Sequence, residues 1–209
     1  MNKKENAHII ENNYDTEDKI KDKIWNMLIE AVSNRKSDFR TPVFISSDND
    51  DPDGRVVVLR RADQNQRSLS FHSDYRSNKV NLLKKNSKGA LVFYDKKEKI
   101  QLRIKVECSI NFKNNISINA WEKTQKISRK CYLASLAPGT NLDAPGSSID
   151  EKFETFEYSI EESEMGKDNF CVITCKVITI EWLYLSIKGH RRAKIDFNKQ
   201  ENHFKWLVP

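Results

Sequence analysis

Glycine and proline are scarce, at 6 and 5 in 209 residues, which excludes collagen-like and low-complexity chains. Cysteine is scarce too. Cys108, Cys131, Cys171 and Cys175 are too few and too scattered for a disulfide scaffold, and no Cys-x-x-Cys is present. Cys171 and Cys175 stand four apart in a strand-like run and read as buried thiols on one face, with no further ligands spaced for zinc. The longest apolar stretch, Phe170 to Ile187, is broken by Lys176 and Glu181, so no segment is expected to span a membrane. The start, Met1-Asn-Lys-Lys-Glu-Asn6, lacks the apolar centre of a signal peptide, and the cytoplasm is the expected compartment. Also missing are a Gly-x-x-x-x-Gly-Lys phosphate loop, a Gly-x-Gly-x-x-Gly, a Gly-x-Ser-x-Gly elbow and a His-Glu-x-x-His. The four histidines, His8, His72, His190 and His203, are too far apart in sequence to suggest a hydrolytic triad.

What is present is core material and positive charge. Ten Phe, six Tyr and four Trp offset a hydrophobic fraction of only 38% and a mean hydropathy of −0.71, so the chain is ordered rather than disordered. The length suits one domain, expected over residues 15–209, after a flexible polar segment at 1–14. The net charge of +6 and pI near 9.0 favour anionic partners. Acidic residues are mixed through the chain, so no block reads as a nucleic-acid tail.

Hydrophobic spacing predicts a helix from Asp15 or Thr16 to about Ser33-Asn34, with Ile20, Ile24, Met27, Leu28 and Ala31 inward. Strands follow at Thr41–Ser46, Arg55–Arg61 and Ser68–Ser73, with a turn over 48–54, and read as an antiparallel meander. A short helix capped by Ser73 or Asp74 runs to Asn86, with Val80 and Leu83 inward. A hairpin pairs Ala90–Tyr94 with Ile100–Phe112. A helix covers Asn119–Tyr132, with Trp121, Thr124 and Ser128 along one side. Ser148-x-x-Glu151 reads as a capping box before Phe153, Phe156 and Ile160. Strands at Phe170–Leu185, Arg191–Phe197 and His203–Val208 complete the chain. The class is mainly β (α+β), with a small barrel or highly curved sheet of six to eight strands and flanking helices.

Basic and polar residues collect at strand ends: Arg55 and Arg60 bracket an apolar strand, Ser73 to Lys79 open a helix, and Gly189-His-Arg-Arg192 is a cationic turn. A helix start with a nearby lysine suits a phosphate. The ordered runs Arg55-Val-Val-Val-Leu-Arg60, Ser70-Phe-His-Ser-Asp-Tyr-Arg-Ser-Asn-Lys79, Ala90-Leu-Val-Phe-Tyr94 and Ile100-Gln-Leu-Arg103 resemble the pyridoxamine 5′-phosphate oxidase family. Ile180-Glu-Trp-Leu-Tyr-Leu185, His190-Arg-Arg192 and Phe204-Lys-Trp-Leu-Val-Pro209 continue the resemblance, which spans about residues 40 to 209. It implies a split β-barrel, FMN at the interface of a homodimer, and a small phosphorylated substrate such as pyridoxamine or pyridoxine 5′-phosphate.

Residue by residue, the resemblance implies flavin contacts from Arg55, Val58, Leu59 and Arg60, then from His72, Ser73, Asn78 and Lys79, then from Gln101 and Arg192. The family's tryptophan falls at Trp182 or one residue on, at Leu183. His72 replaces an aromatic hydroxyl and Asn78 replaces a cation. Arg60, Arg129, Lys188 and His190 are the implied substrate contacts. The family's Arg-x-His has become Lys188-Gly189-His190, so its arginine is gone. Trp121, Thr124, Ser128-Arg129 and Pro138-Gly139 look more like the oxidase-related bacterial flavoproteins than the oxidase proper. The implied activity is hydride transfer from substrate to FMN, with reoxidation by oxygen. A flavin-binding protein of the same fold without that activity, such as a flavin reductase or redox-stress protein, is the first rival. A basic nucleic-acid-binding barrel explains none of the ordered motifs.

Overall fold

A helix forms over α1 (Glu17–Ser33) because Ile20, Ile24, Trp25, Met27, Leu28 and Ala31 fall on one face, and all six are buried. Thr16 caps it by accepting from the Lys19 N–H, and Glu17 and Asp18 complement the first turn. A computed structural model describes residues 14–48, 51–155, 157–200 and 203–209. Residues 1–13 of the N-terminal segment, and Phe156, lie outside the described residues. Tyr14 is described and is buried, with its ring edge on Trp182 at 5.1 Å.

The described residues form nine strands: β1 (Val43–Asp48), β2 (Asp51–Val56), β3 (Leu59–Asp63), β4 (Ser68–Asp74), β5 (Lys88–Asp95), β6 (Ile100–Phe112), β7 (Phe170–Tyr184), β8 (Arg191–Asp196) and β9 (Phe204–Leu207). All pairings are antiparallel. The order is β2-β1-β5-β6-β7-β4-β3, with β8 added to β7 and β9 to β8. The sheet is a split barrel and is not closed. Its fork is β7. Phe170–Lys176 pairs with β4, Thr179–Tyr184 pairs with β8, and β6 runs along both halves. At the fork the β6–β7 register shifts between Lys105 and Val106. There Phe197 N–H donates to the Ile178 carbonyl at 2.9 Å, and Val177 N–H donates to the Arg67 carbonyl at 2.8 Å. A bulge bends a strand and lets it change partners in this way.

β6 alternates cleanly. Ile100, Leu102, Ile104 and Val106 enter the main core, while Gln101, Arg103, Lys105 and Glu107 face out. The main core joins α1 to the sheet through residues such as Leu28, Phe44, Phe71, Phe93 and Ile180. A second cluster of Trp121, Tyr132, Phe170 and Val172 lies on the other side of β7. Two short helices and a 3-10 turn provide it: α3 (Asn115–Glu122), α4 (Lys126–Arg129) and Lys130–Tyr132. No helix among the described residues is long and apolar enough to cross a membrane.

Five expectations are corrected. The run 55–61 is not one strand: β2 ends at Val56 and β3 begins at Leu59. Val57 is buried and donates its N–H to the Pro42 carbonyl at 3.0 Å, which carries the chain from one sheet edge to the other. The expected meander is therefore split, because β2 and β3 lie at opposite ends of the order. The helix at 119–132 is broken at residues 123–125, where Arg129 takes the carbonyls of Trp121 and Thr124 that would continue it. Two caps also move. Ser77, not Ser73 or Asp74, precedes α2 (Asn78–Lys85). Asp150, not Ser148, accepts from Lys152 N–H at the start of α5 (Glu151–Glu154).

Gly89 on β5 packs under Phe44, and a Cβ there would lie 2.8 Å from the ring and 3.1 Å from the Ile45 carbonyl oxygen. Gly89→Ala is therefore expected to destabilise the protein by about 1–3 kcal/mol in urea unfolding. No change would contradict this packing.

Candidate functional site

The β1–β2 hairpin and the first turn of α2 bring Arg55, Ser73, Ser77 and Lys79 together. Arg55 lies opposite Phe44 in the hairpin register. Its guanidinium sits 5.8 Å from the Phe44 ring centre, and Nη1 donates to Ser46 Oγ at 2.8 Å. Nη2 pairs with the Asp53 carboxylate, yet it is buried and makes no directed hydrogen bond. Lys79 Nζ donates to Ser73 Oγ at 3.1 Å and Ser77 Oγ at 3.3 Å. Burial, and then the Arg55 charge, push the Lys79 ammonium below its ordinary pKa. Ser77 precedes α2 without a capping hydrogen bond from its side chain. Its hydroxyl is turned toward Asp74 O, at 2.7 Å, and Ser73 Oγ, at 3.2 Å. The cluster thus offers two cations, hydroxyls and a helix start to an anion.

Asp74 braces the turn from below. Arg76 donates to its carboxylate from N, Nε and Nη2, at 2.8, 3.1 and 2.8 Å. The same guanidinium donates to the Ala134 and Ser135 carbonyls at 2.9 and 3.1 Å. The base of the 136–147 loop is thereby tied to the cluster. Asn78 is exposed, Val58 is half-buried and Leu59 is in the core.

Arg60 stands in a different group. It occupies the register shift between Leu59 and Arg61 on β3, where bulges re-aim side chains. Its Nε is buried without a hydrogen-bond partner. Its charge acts on His72, Tyr132 and Arg40. His72 projects from β4 against Phe170, edge to face at 4.8 Å. Burial first, and Arg60 second, lower its pKa to about 4, so it is neutral at pH 7.

A third group lies on the outer face, where β6, β7 and β8 align Gln101, Leu183 and Arg192 in one row. One row along, Glu181 receives hydrogen bonds from Arg103 and, at 2.6 Å, from Arg192. Burial alone would raise the Glu181 carboxyl; the bonds from Arg192 and Arg103 outweigh it and hold the pKa below the ordinary value. Trp182 points the other way, into the core between Tyr14 and Tyr184. Of the two residues considered for one flavin contact, Leu183 is therefore the one beside Gln101. His190 is exposed, and its Nδ1 accepts from Ser186 N–H at 3.1 Å. With Tyr14, Arg191, Arg192 and Trp206 it lines a cleft of about 370 Å³. Lys188 is exposed in the same turn.

Arg129 corrects an expectation. It is 3% exposed, so it does not face an open site. Nη1 pairs with Glu164 Oε1 at 2.5 Å and donates to Ser163 Oγ at 3.2 Å. Nη2 and Nε hold the Trp121 and Thr124 carbonyls at 3.0 Å each, and the guanidinium lies 4.7 Å from the centre of the Trp121 ring. Sequence reasoning also missed Ser46 and Glu181. Their signals are local: Ser46 lies two places from the partner of Arg55, and Glu181 lies opposite Arg103.

Residues 22–111, which contain the first cluster and the Arg60 group's strands, match the family model described as pyridoxamine 5′-phosphate oxidase, FMN-binding domain. These residues, less than half of the chain, are similar to that domain. The resemblance read from the ordered motifs is thereby shown. Two solved structures share the fold across almost the whole chain. One is a pyridoxamine 5′-phosphate oxidase-related, FMN binding protein from Nostoc punctiforme, 16% identical, covering 91% of this chain and 94% of that one, with a TM-score of 0.67. The other is PhzG from Burkholderia lata in complex with tetrahydrophenazine-1-carboxylic acid, 15% identical, covering 94% and 95%, with a TM-score of 0.64. At these identities the likeness shows the fold. No curated protein matches the chain.

Two outcomes are expected. In an NMR titration the His72 ring should show a pKa of about 4; a value near 6.5 would contradict its burial. Because the folded value is depressed, the stability His72 contributes is complete above the ordinary histidine pKa and is lost as pH falls from there toward 4. Arg129→Met should destabilise the protein by roughly 2–4 kcal/mol, since Glu164 and two carbonyls lose their partner. It should leave FMN affinity unchanged when measured on the folded fraction.

Proposed function

We propose that the protein binds FMN and acts as an FMN-dependent oxidoreductase on a small phosphorylated molecule, pyridoxamine or pyridoxine 5′-phosphate being the first to try. The observation that carries this reading is the Arg55–Lys79 cluster: a half-buried ammonium rests on two serine hydroxyls beside a guanidinium that Ser46 and Asp53 hold in place. Two neighbouring cations with one carboxylate between them fit a phosphate dianion, which would offset the remaining positive charge. In this reading Arg55, Lys79, Ser73 and Ser77 hold the flavin phosphate. Gln101 hydrogen-bonds the ring edge, beside Leu183. Arg192, oriented by Glu181, supplies positive charge. Bound FMN would accept a hydride from substrate and pass the electrons to oxygen.

A homodimer belongs to the same proposal. Val43, Val56 and Tyr94 are 37%, 63% and 43% exposed. The strand register sets all three on the face that carries Gln101 and Arg192. Covering that apolar row with a second copy would bury it and enclose the flavin. A cytoplasmic protein is the compartment this reading assumes.

A flavin protein without pyridoxamine phosphate oxidase activity is the second reading, and Arg129 favours it. The arginine expected to grip the substrate is spent on Glu164, and Lys188-Gly189-His190 lacks the family's other arginine. The two readings separate on turnover of pyridoxamine 5′-phosphate by the FMN-loaded protein.

Titration with FMN, followed by quenching of flavin fluorescence, tests the shared part. Saturable binding of one FMN per chain is expected, with Lys79→Met and Arg55→Met each weakening it about 10- to 100-fold, as for hydrogen bonds to a charged group. Absence of FMN binding to the folded protein would overturn both flavin readings.

A further inference from the structure

Asp74 is a buried carboxylate, 7% exposed, in the turn that presents Ser73 and Ser77 to Lys79. A negative charge there opposes an anion at the Arg55–Lys79 cluster, and the Arg76 guanidinium pairs with it at 2.8 Å. The main-chain carbonyl of Asp74 is also the seat of both hydroxyls. Ser77 Oγ and Ser73 Oγ donate to it at 2.7 and 3.2 Å, and the Ser77 N–H donates at 3.1 Å. An anion that drew those hydroxyl protons to itself would take two of these bonds from the turn. Arg76 holds the turn by another route, through the bonds from its main chain and guanidinium to the Asp74 carboxylate. The same guanidinium holds the Ala134 and Ser135 carbonyls. Ser135 is the neck of the largely exposed 136–147 loop: its N–H and Oγ both donate to the Ser148 carbonyl, at 2.9 and 3.0 Å, and the Leu136 N–H donates to Ser148 Oγ at 3.4 Å. Ser148 has a φ of 50°, in the left-handed region that a serine seldom adopts, so the neck holds strained backbone. Surface loops of this length with closed ends are frequently functional. One arginine thus joins the turn to the neck.

We propose that Arg76 is a positioning residue that couples the anion cluster to the 136–147 loop: a phosphate held at Arg55 and Lys79 steadies the loop, and the steadied loop tightens the hold on the phosphate. Such coupling is reciprocal, and neither half of it needs contact between loop and ligand. The planar guanidinium fork serves a carboxylate and two carbonyls at once, which a lysine ammonium does not. The proposal deepens the flavin-phosphate reading of the cluster. It rests on an anion binding there, not on that anion being FMN.

The test is hydrogen exchange of the segment 133–149, which contains the Ser135 and Leu136 amides, read by mass spectrometry. Saturating FMN should slow it at least about tenfold. In Arg76→Met, kept saturated with excess FMN, the slowing should disappear. Arg76→Lys should behave in the same way, and it decides the matter where Arg76→Met does not fold. Ser135→Ala loses the hydroxyl bond to Ser148 and alters neither Asp74 nor Lys79. It should weaken FMN binding about two- to fivefold in the unaltered background and less than about 1.5-fold beside Arg76→Lys. An arginine that only holds the turn would lower FMN affinity when replaced, yet loop exchange in the unaltered protein would not respond to FMN; that result overturns the proposal. So does FMN protection that survives in Arg76→Met or Arg76→Lys. Should the protein bind no FMN, the flavin reading fails and inorganic phosphate becomes the probe. Phosphate that slows exchange in the unaltered protein and not in Arg76→Lys would still uphold the coupling. Phosphate that binds by calorimetry without slowing exchange, or no phosphate binding in the millimolar range, would sink it.

Discussion

The Lys79 ammonium is half-buried on two serine hydroxyls, with the Arg55 guanidinium as a neighbour. Desolvating a cation beside another is unfavourable, and a hydroxyl returns only part of the lost hydration. Asp53 offsets some of this at Arg55, and the rest is stored in the fold. The surrounding structure is what sustains it. Ser46 is fixed by the β1–β2 hairpin, Ser73 by its place in β4 between β3 and β7, and Ser77 by the turn that Asp74 and Arg76 lock.

Sheet topology explains why the three groups come from distant parts of the chain. Strand β7 serves β4 with one half and β8 with the other. Its first half carries Phe170, against which His72 and Tyr132 pack; its second half carries Glu181 and Leu183 beside Arg192. One strand thus connects the Arg60 group to the outer-face row. The Arg76 guanidinium adds a link of its own, from the cationic Arg55–Lys79 cluster to the base of the 136–147 loop.

Much of this was legible in the sequence. The alternation Ile100-x-Leu102-x-Ile104-x-Val106 sets the faces of β6 without ambiguity, and the α1 stripe is equally plain. The corner at Val57 was hidden because Val56, Val57, Val58 and Leu59 form a continuous apolar run, which has no period to break. The helix break before Arg129 was hidden because its cause is tertiary: a buried side chain competes for main-chain carbonyls. For the same reason Arg129 looked like an open anion contact, since its partner Glu164 lies 35 residues on. The inward turn of Trp182 follows from parity with Ile180, both buried on the core side of β7. Arg60 could be named from the ordered motifs, yet its separation from Arg55 depends on the corner and the bulge between them, which only the pairing registers reveal.

The central claim is that the Arg55–Lys79 cluster is built for the phosphate of a flavin. The direct measurement is the ratio of FMN to riboflavin affinity, since the two ligands differ only in that phosphate. The account predicts that FMN binds at least about 100-fold more tightly, and that Lys79→Met shrinks the gap by about tenfold while leaving riboflavin binding as it was. Equal affinities for the two flavins, or a gap that Lys79→Met leaves intact, would contradict it.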